Sequence, residues 1–139
     1  MTRRLLLDAG PAQDFVQKVE PTHARVLTAI RSGVKVGICY PTLGELRAGF
    51  EGSDSRDKSL KSLEASFGRL IRWPFTLEAV KRFGEVAALL RRIGRPIGNI
   101  DMQVAAVALA MGQTTVITYD SDLSIVPGLK VENWLEAKT

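Results

Sequence analysis

The sequence predicts an α/β fold, with a mostly parallel central sheet and helices on both of its faces. Short apolar segments rich in β-branched residues alternate with longer segments in which apolar residues recur every three or four positions. The first pattern indicates buried strands and the second indicates amphipathic helices. Because strand–helix–strand connections are right-handed crossovers between parallel strands, this alternation favours a parallel sheet. The length of 139 residues is typical of one domain, so we expect a single domain over residues 1–139.

The chain begins with a predicted strand and two predicted helices. Residues 3–7 form a short apolar segment that indicates a strand. Pro11 suits the first turn of a helix, which we expect over residues 12–19. Thr22 is expected to cap the next helix, and Gly33 is expected to end it.

A second strand and two further helices are predicted next. Residues 34–39 are rich in β-branched side chains and indicate a strand. Pro41 is expected to begin a helix that runs to Phe50, and a polar loop over residues 52–55 follows. Apolar residues at helical spacing then predict an amphipathic helix that begins at Ser55. These apolar residues are Leu60, Leu63, Phe67, Leu70 and Ile71.

Residues 72–75 indicate either a short strand or an extended link, and the pattern leaves both open. Thr76 is expected to cap a helix that stops at Gly94, and Asn99 to cap one that stops at Gly112. The apolar residues at helical spacing in the first of these helices are Val80, Phe83, Val86, Ala87, Leu90 and Ile93.

The last part of the chain predicts two strands separated by a polar loop. Residues 114–118 indicate one strand, residues 119–124 the loop, and residues 129–131 a last short strand. Trp134 follows, and we expect it to pack in the core or at its edge.

Composition excludes several classes of protein. Cys39 is the only cysteine, so the chain has no internal disulfide or cysteine-based zinc site, and we expect Cys39 to be buried. No apolar run approaches the roughly 20 residues that span a bilayer, so we expect a cytoplasmic protein without a membrane segment. One histidine excludes ribonucleases that move protons between two imidazoles. The net charge of +4 suits a polyanionic partner such as RNA.

Four acidic residues stand close to the ends of apolar segments. Asp8 directly follows the first strand, and Asp120 lies just beyond the strand over residues 114–118. Glu45 lies one turn into the helix after the second strand, and Asp101 lies in the first turn of the helix that begins near Asn99. Taken singly, Asp8 and Asp120 are explained by turn chemistry, Asp101 by the helix dipole, and Glu45 by simple projection into solvent. Because ligands bind outside the carboxyl ends of parallel strands, we expect all four acids at that edge.

Such a cluster predicts a bound metal ion. Two carboxylates about 4 Å apart repel by roughly 4 kcal/mol at an effective dielectric constant of about 20, so four need protons or cations to stay together. Oxygen ligands without histidine or cysteine favour Mg²⁺ or Mn²⁺. These cations activate water and stabilise charge on phosphoryl oxygens, so a basic chain with such a pocket indicates phosphodiester hydrolysis.

Five segments carry a resemblance to a known family. In chain order they are Leu5-Leu6-Leu7-Asp8, Glu45-Leu46-Arg47-Ala48-Gly49, Ile97-Gly98-Asn99-Ile100-Asp101, Thr118-Tyr119-Asp120-Ser121-Asp122 and the stretch 126–134. Each segment alone is a weak signal, but the ordered set resembles the motifs of PIN-domain ribonucleases, specifically the VapC-like toxins of type II toxin–antitoxin systems. The likeness extends from Leu5 to Trp134.

The resemblance implies a PIN-like three-layer α/β/α sandwich and a divalent-metal-dependent endoribonuclease that acts as a toxin. Asp8, Glu45, Asp101 and Asp120 would take the catalytic and metal-ligand positions of the family, with Glu45 as a ligand or a water-orienting base. Asp122 would take the auxiliary acidic position. The resemblance further implies a homodimer, a cognate antitoxin that blocks the pocket, and structured RNA of the transfer or ribosomal class as the substrate.

One departure from the family pattern keeps an alternative open. Family members usually carry Thr or Ser and then often Asn after the first aspartate, whereas Ala9-Gly10 stands here. Loss of a supporting hydroxyl lowers metal affinity or activity. The alternative is therefore a weakened PIN-like module that binds RNA or an antitoxin without cleavage. A phosphotransferase with Asp8 as the acceptor is disfavoured, because such sites place a second aspartate where Gly10 stands.

Overall fold

The computed structural model describes residues 3–135, and within them five strands alternate with six α-helices. The strands are β1 (Arg4–Leu7), β2 (Lys35–Cys39), β3 (Ile71–Trp73), β4 (Thr114–Ile117) and β5 (Lys130–Glu132). The helices are α1 (Ala9–Val16), α2 (Thr22–Arg31), α3 (Tyr40–Glu51), α4 (Arg56–Ser66), α5 (Leu77–Arg92) and α6 (Asn99–Met111). A short 3-10 helix (Ser121–Ile125) lies between β4 and β5.

The five strands form one sheet in the order β3-β2-β1-β4-β5, and every neighbouring pair is parallel. The predicted α/β fold with a parallel sheet is therefore confirmed. Residues 72–75, which the sequence left open, contribute to an edge strand, because Gly37 of β2 pairs with Ile71 and Cys39 pairs with Trp73.

Side chains of β1 show why helices cover both faces of the sheet. Leu5 and Leu7 belong to the core under α1, α2, α3 and α4, whereas Leu6 belongs to the core under α5 and α6. Successive side chains of a strand point to opposite faces, so a strand with three consecutive leucines must be covered on both sides. The result is three layers, with helices above and below the sheet.

Gly37 allows the edge strand β3 to approach β2. A Cβ atom at this position would lie 2.8 Å from Cζ3 of Trp73 and would overlap the carbonyl oxygen of Ile71. Only glycine leaves room for both groups, so this residue fixes the pairing of β3 with the rest of the sheet.

The strand order places a crevice at the carboxyl end of β1. The chain leaves β1 toward β2 and β3 on one side, and later adds β4 and β5 on the other side. At such a switch point the connections diverge and leave space for a ligand. Asp8 is the first residue after β1, so it lies at this crevice.

The first helix begins and ends earlier than the sequence predicted. We expected it over residues 12–19, but α1 starts at Ala9, directly after the extended residue Asp8. Pro11 still lies in the first turn, where a missing N–H costs nothing. The helix ends at Val16 because Lys18 adopts a positive φ of 59° and the Val19 N–H donates to Asp14 O at 2.8 Å.

Two of the three predicted helix caps are wrong. Thr22 is the first residue of α2 rather than its cap, because its hydroxyl contacts the hydroxyl of Tyr119. Asn99 is likewise the first residue of α6, and the extended Gly98 takes the capping position. The prediction for Thr76 is confirmed, since its hydroxyl oxygen accepts a hydrogen bond from the Ala79 N–H at 3.1 Å.

Two helix predictions were wrong in part. The helix predicted from Ser55 ends at Ser66, and Ile71 lies in β3 instead. In α5 the packed face consists of Ala79, Val86 and Leu90. The predicted face residues Val80 and Ile93 are about half exposed.

Two single-residue predictions are confirmed. Cys39 and Trp134 are both buried, and the guanidinium of Arg25 lies 4.4 Å from the centre of the Trp134 ring. This cation–π contact holds the segment after β5 against α2. Over residues 3–135, no helix combines the length and the apolar character needed to cross a bilayer.

Removal of the α5 cap should cost stability. We expect Thr76→Ala to lower the free energy of unfolding by about 1 kcal/mol, because the Ala79 N–H loses its side-chain acceptor. Thr76→Ser keeps a hydroxyl and serves as the control. Urea unfolding followed by circular dichroism measures both, and equal stability of the two variants would contradict the cap.

Candidate active site

Asp8 forms the floor of the site at the carboxyl end of the sheet. Its backbone N–H donates to Ile117 O at 2.9 Å, which continues the pairing of β1 with β4 by one residue. The residue is buried, and its Oδ2 accepts a 2.8 Å hydrogen bond from the Thr118 hydroxyl. Asp8 also precedes the first turn of α1, where the helix dipole favours negative charge.

Thr118 connects two of the predicted acidic residues. Its hydroxyl donates to Asp8 Oδ2, and the same oxygen accepts the Asp120 N–H at 3.1 Å. Thr118 is only 1% exposed, so the bridge is shielded from water. Sequence reasoning missed this residue as part of the site. The available signal was a hydroxyl residue at the end of an apolar strand, two positions before an aspartate.

Asp120 begins the turn that follows β4. Its Oδ1 accepts a hydrogen bond from the Asp122 N–H at 2.9 Å, so Asp120 caps the short 3-10 helix. Both aspartates are exposed, in contrast to Asp8. The cap fixes one carboxylate oxygen of Asp120 at the start of the turn.

Asp101 experiences the charge of every other predicted acid. Its pKa is raised from 3.8 to about 6, first by burial and then by the charges of Asp8, Asp120, Glu45 and Asp122. Electrostatic effects of this kind decline with distance, so the five carboxyl groups lie in one region. The fold thus brings residues from four separate segments to the same edge of the sheet.

Glu45 approaches this region from α3, the helix that follows β2. Its side chain is exposed, while Leu46 beside it packs into the core. Cys39 ends β2 beneath the same region. Burial raises the pKa of the Cys39 thiol, the charge of Asp8 raises it further, and the thiol contacts the Thr42 hydroxyl at 3.4 Å.

The carboxylates share a region without converging on one point. Among the described residues, no three Asp, Glu, His or Cys side chains take an arrangement that could hold a metal ion. Mutual repulsion opposes convergence of like charges, and the exposed Glu45 and Asp122 side chains have room to turn outward. Ligation by three of them requires side-chain rotation.

Tyr119 lies between Thr118 and Asp120 and contacts α1 and α2. Its hydroxyl donates to Asp14 Oδ2 at 2.8 Å and lies 2.5 Å from the Thr22 hydroxyl. Burial raises the pKa of Tyr119 to about 12, and the hydrogen bond to Asp14 and its negative charge act in the same direction. The phenol therefore remains protonated throughout the physiological pH range. Sequence reasoning assigned no role to Tyr119 or Asp14.

Two surface cavities differ in their relation to this edge. One of about 330 Å³ is lined by Arg95, Ser121 and Asp122, so it adjoins the acidic region. Another of about 520 Å³ is lined by Arg3 and Lys130 among others, at the amino ends of the strands. None of the predicted acidic residues lines the second cavity.

Comparison with known proteins assigns the family. The sequence profile of the PIN domain matches residues 5–129. The protein named tRNA(fMet)-specific endonuclease VapC from Shigella flexneri is 30% identical over 120 residues, which are 86% of this chain and 90% of the relative. The chain belongs to the VapC family of PIN-domain ribonucleases. The resemblance drawn from the five sequence segments is confirmed.

Solved VapC-family structures agree with the fold of this chain. A VapBC complex from Salmonella typhimurium bound to DNA contains a chain that is 27% identical, with a TM-score of 0.83 and coverage of 96% of this chain and 99% of that one. VapBC2 from Rickettsia felis, bound to a fragment of its promoter, matches with a TM-score of 0.86 at 23% identity and covers 94% and 98% of the two chains. The predicted PIN-like sandwich is therefore confirmed.

The raised pKa of Asp101 predicts a pH dependence of stability. The folded protein holds this proton more tightly than the unfolded chain, so ionisation of Asp101 costs stability as the pH rises from about 4 through about 6. We expect Asp101→Asn to be more stable than the wild type at pH 7.5, and this advantage to shrink at pH 4.5. Urea unfolding in the presence of a chelator measures it. The exposed Asp54→Asn is the control, and a gain that does not depend on pH would contradict the prediction.

The Thr118 bridge predicts a second effect on stability. Thr118→Val removes the donor to the buried Asp8 carboxylate, so we expect the free energy of unfolding to fall by about 1–3 kcal/mol. Thr118→Ser retains the hydroxyl and should lose much less. If the valine and serine variants were equally stable by chemical denaturation, the hydrogen bond would not support the site.

Proposed function

We propose that this chain is the toxin of a type II toxin–antitoxin system and an endoribonuclease that depends on Mg²⁺ or Mn²⁺. The observation that carries the proposal is that the acids share one edge of the sheet: the pKa of Asp101 is raised first by burial and then by the charges of Asp8, Asp120, Glu45 and Asp122. Membership of the VapC family supports the reaction class. The cluster supports a cation at the same edge of the sheet.

The residues present fit a hard divalent cation. All of the side chains involved offer carboxylate oxygens, which Mg²⁺ and Mn²⁺ prefer, and their mutual repulsion is the cost that a cation relieves. We assign Asp8, Asp101 and Asp120 as the ligands, with Asp122 as an auxiliary acid. A bound ion of this kind activates water and stabilises charge on phosphoryl oxygens.

The remaining groups orient the reactants. The Thr118 hydroxyl holds Asp8 Oδ2, so one oxygen of that carboxylate has a fixed direction. Glu45 is exposed on α3 and free of the core, so it is placed to orient a water molecule or accept its proton. In this assignment the catalytic residues are Asp8, Glu45, Asp101 and Asp120.

The substrate that we propose is structured RNA of the transfer or ribosomal class. The net charge of +4 favours a polyanion, and the Shigella relative is named as specific for a transfer RNA. Arg95 lines the cavity that also contains Asp122, so a phosphate bound there would lie beside the acids. Arg47, Arg91 and Arg92 are further exposed cations that we expect to contact the RNA backbone.

The partner that we propose is a cognate antitoxin. Three of the solved relatives are VapBC complexes, and two of these are bound to DNA. We also propose a homodimer, a cytoplasmic location where cellular RNA is accessible, and a single domain over residues 1–139. The match of the PIN profile to residues 5–129 supports the last of these.

A second candidate is a PIN-like module that binds RNA or an antitoxin without cleavage. The Ala9-Gly10 pair favours it, since both residues lack the side-chain hydroxyl or amide of the family pattern at the start of α1. The two candidates share the fold and the binding surface, and they differ only in whether RNA is cut.

Cleavage of RNA tests the proposal directly. Purified protein is incubated with total transfer RNA and ribosomal RNA with Mn²⁺, with Mg²⁺ or with a chelator. We expect cleavage only with a divalent ion, and a loss of about 100-fold or more in Asp101→Asn, because the variant loses one of the assigned ligands of that ion. The exposed Asp54→Asn, which changes charge equally, should cleave like the wild type.

The other outcomes separate the candidates. Salt-sensitive RNA binding without cleavage at any metal concentration would favour the binding module. Equal cleavage by the wild type and Asp101→Asn would indicate a contaminating nuclease. Millimolar Mn²⁺ should also raise the melting temperature of the wild type but not that of Asp101→Asn, because an ion that binds only the folded state stabilises it.

A further inference from the structure

Tyr119 connects the turn that carries Asp120 and Asp122 to the helices α1 and α2. The residue is the second one after the end of β4 and lies between the bridging Thr118 and the predicted ligand Asp120. Its hydroxyl reaches Asp14 of α1 and Thr22 of α2, at 2.8 Å and 2.5 Å. Thr22 has no exposed surface, so this end of the ring is anchored inside the protein.

The ring of Tyr119 occupies the space that a side chain at position 10 would need. A Cβ atom on Gly10 would lie 2.8 Å from Cδ2 and 3.2 Å from Cε2 of the ring. The ring cannot easily retreat, because its hydroxyl is held by Asp14 and Thr22. Gly10 is itself only two residues beyond Asp8, so the ring links the segments that carry Asp8 and Asp120.

This contact gives a physical reason for the departure from the family pattern. Family members often carry Asn at the second position after the first aspartate, and this chain has Gly10. Any such side chain would collide with Tyr119 where it now lies. The position of the Tyr119 ring therefore requires glycine at position 10, so the two positions are coupled sterically.

We propose that Tyr119 is a positioning residue that locks the turn carrying Asp120 and Asp122 onto α1 and α2, and that Gly10 is present because this lock requires it. The lock acts on the backbone that follows Thr118, whose hydroxyl holds both Asp8 and the Asp120 N–H. Rotation of the Tyr119 backbone would displace Asp120 and Asp122, which follow it in the turn. The inference rests on the proposed function, since it assigns a role toward the metal site.

The first test examines the steric unit through stability. Alanine is a better helix former than glycine, so Gly84→Ala, at a helix position with nothing within 4 Å, should raise the melting temperature by about 4 °C. We expect Gly10→Ala to lower the melting temperature of the wild type but to raise that of Tyr119→Ala. A similar increase in both backgrounds would show that positions 10 and 119 are independent, and would overturn the lock.

The second test measures Mn²⁺ binding to the metal-free protein by calorimetry at 25 °C. Tyr119→Phe removes only the hydroxyl, and we expect the dissociation constant for Mn²⁺ to rise about tenfold, as for loss of a supporting hydrogen bond at a metal site. Asp14→Asn should weaken binding similarly, and the double variant should bind no more weakly than either single variant. Leu63→Val, a core change in α4, is the control for lost stability.

These outcomes distinguish the inference from the function on which it rests. If Tyr119→Phe binds Mn²⁺ like the wild type, or no more weakly than Leu63→Val, Tyr119 serves stability alone and the positioning role is wrong. If the wild type itself binds no Mn²⁺, the proposed function fails and the positioning role fails with it. The change in melting temperature caused by Gly10→Ala, compared with and without the Tyr119 ring, then still shows whether the two positions are coupled.

Discussion

Repulsion among carboxylates at one edge of a parallel sheet is the physical constraint that determines how the site is arranged. The apolar side chains of β1 fix this strand at the centre of the sheet, so Asp8 emerges where the strand order reverses. Asp101 arrives at the same edge from α6, and its pKa is raised first by burial and then by the charges of the other acids. The fold tolerates this repulsion because burial of two apolar cores holds the strands and helices in place.

The surrounding polar contacts restrain the acids without removing their charge. The Thr118 hydroxyl orients Asp8, and Asp120 caps the turn that contains Asp122. Tyr119 fastens the same turn to α1 and α2. Each contact fixes one oxygen or one backbone segment and leaves the exposed side chains able to move. Such an arrangement suits the proposed function, in which the site would receive a divalent ion and a large polyanion.

Local pattern was sufficient to predict the order of the strands and helices. Strand β1 contains three consecutive leucines, β4 consists of four β-branched residues, and the helices α2 and α5 show clear periodicity. Helix ends were harder, because they depend on contacts from distant parts of the chain. Thr22 has the chemistry of a cap, but its hydroxyl is engaged by Tyr119, a residue 97 positions away. Propensity cannot anticipate that competition.

The acidic residues could be selected from the sequence because topology alone brings the ends of parallel strands together. Their supporting residues could not, since Thr118 and Tyr119 act through hydrogen bonds to residues more than 100 positions earlier. The prediction that Val80 and Ile93 lie on the packed face of α5 was also wrong. Both residues are apolar, but α6 covers a neighbouring face that includes the smaller Ala79.

The pairing of β1 with β4 has a consequence for synthesis of the protein. Leu5 pairs with Thr115, so the central strand lacks one of its neighbours until the ribosome has made most of the chain. Asp101 and Asp120 are likewise added late, long after Asp8 has left the exit tunnel. Contacts of such long sequence separation form slowly. A nascent chain therefore carries no assembled acidic pocket until the segments with Asp101 and Asp120 have been synthesised.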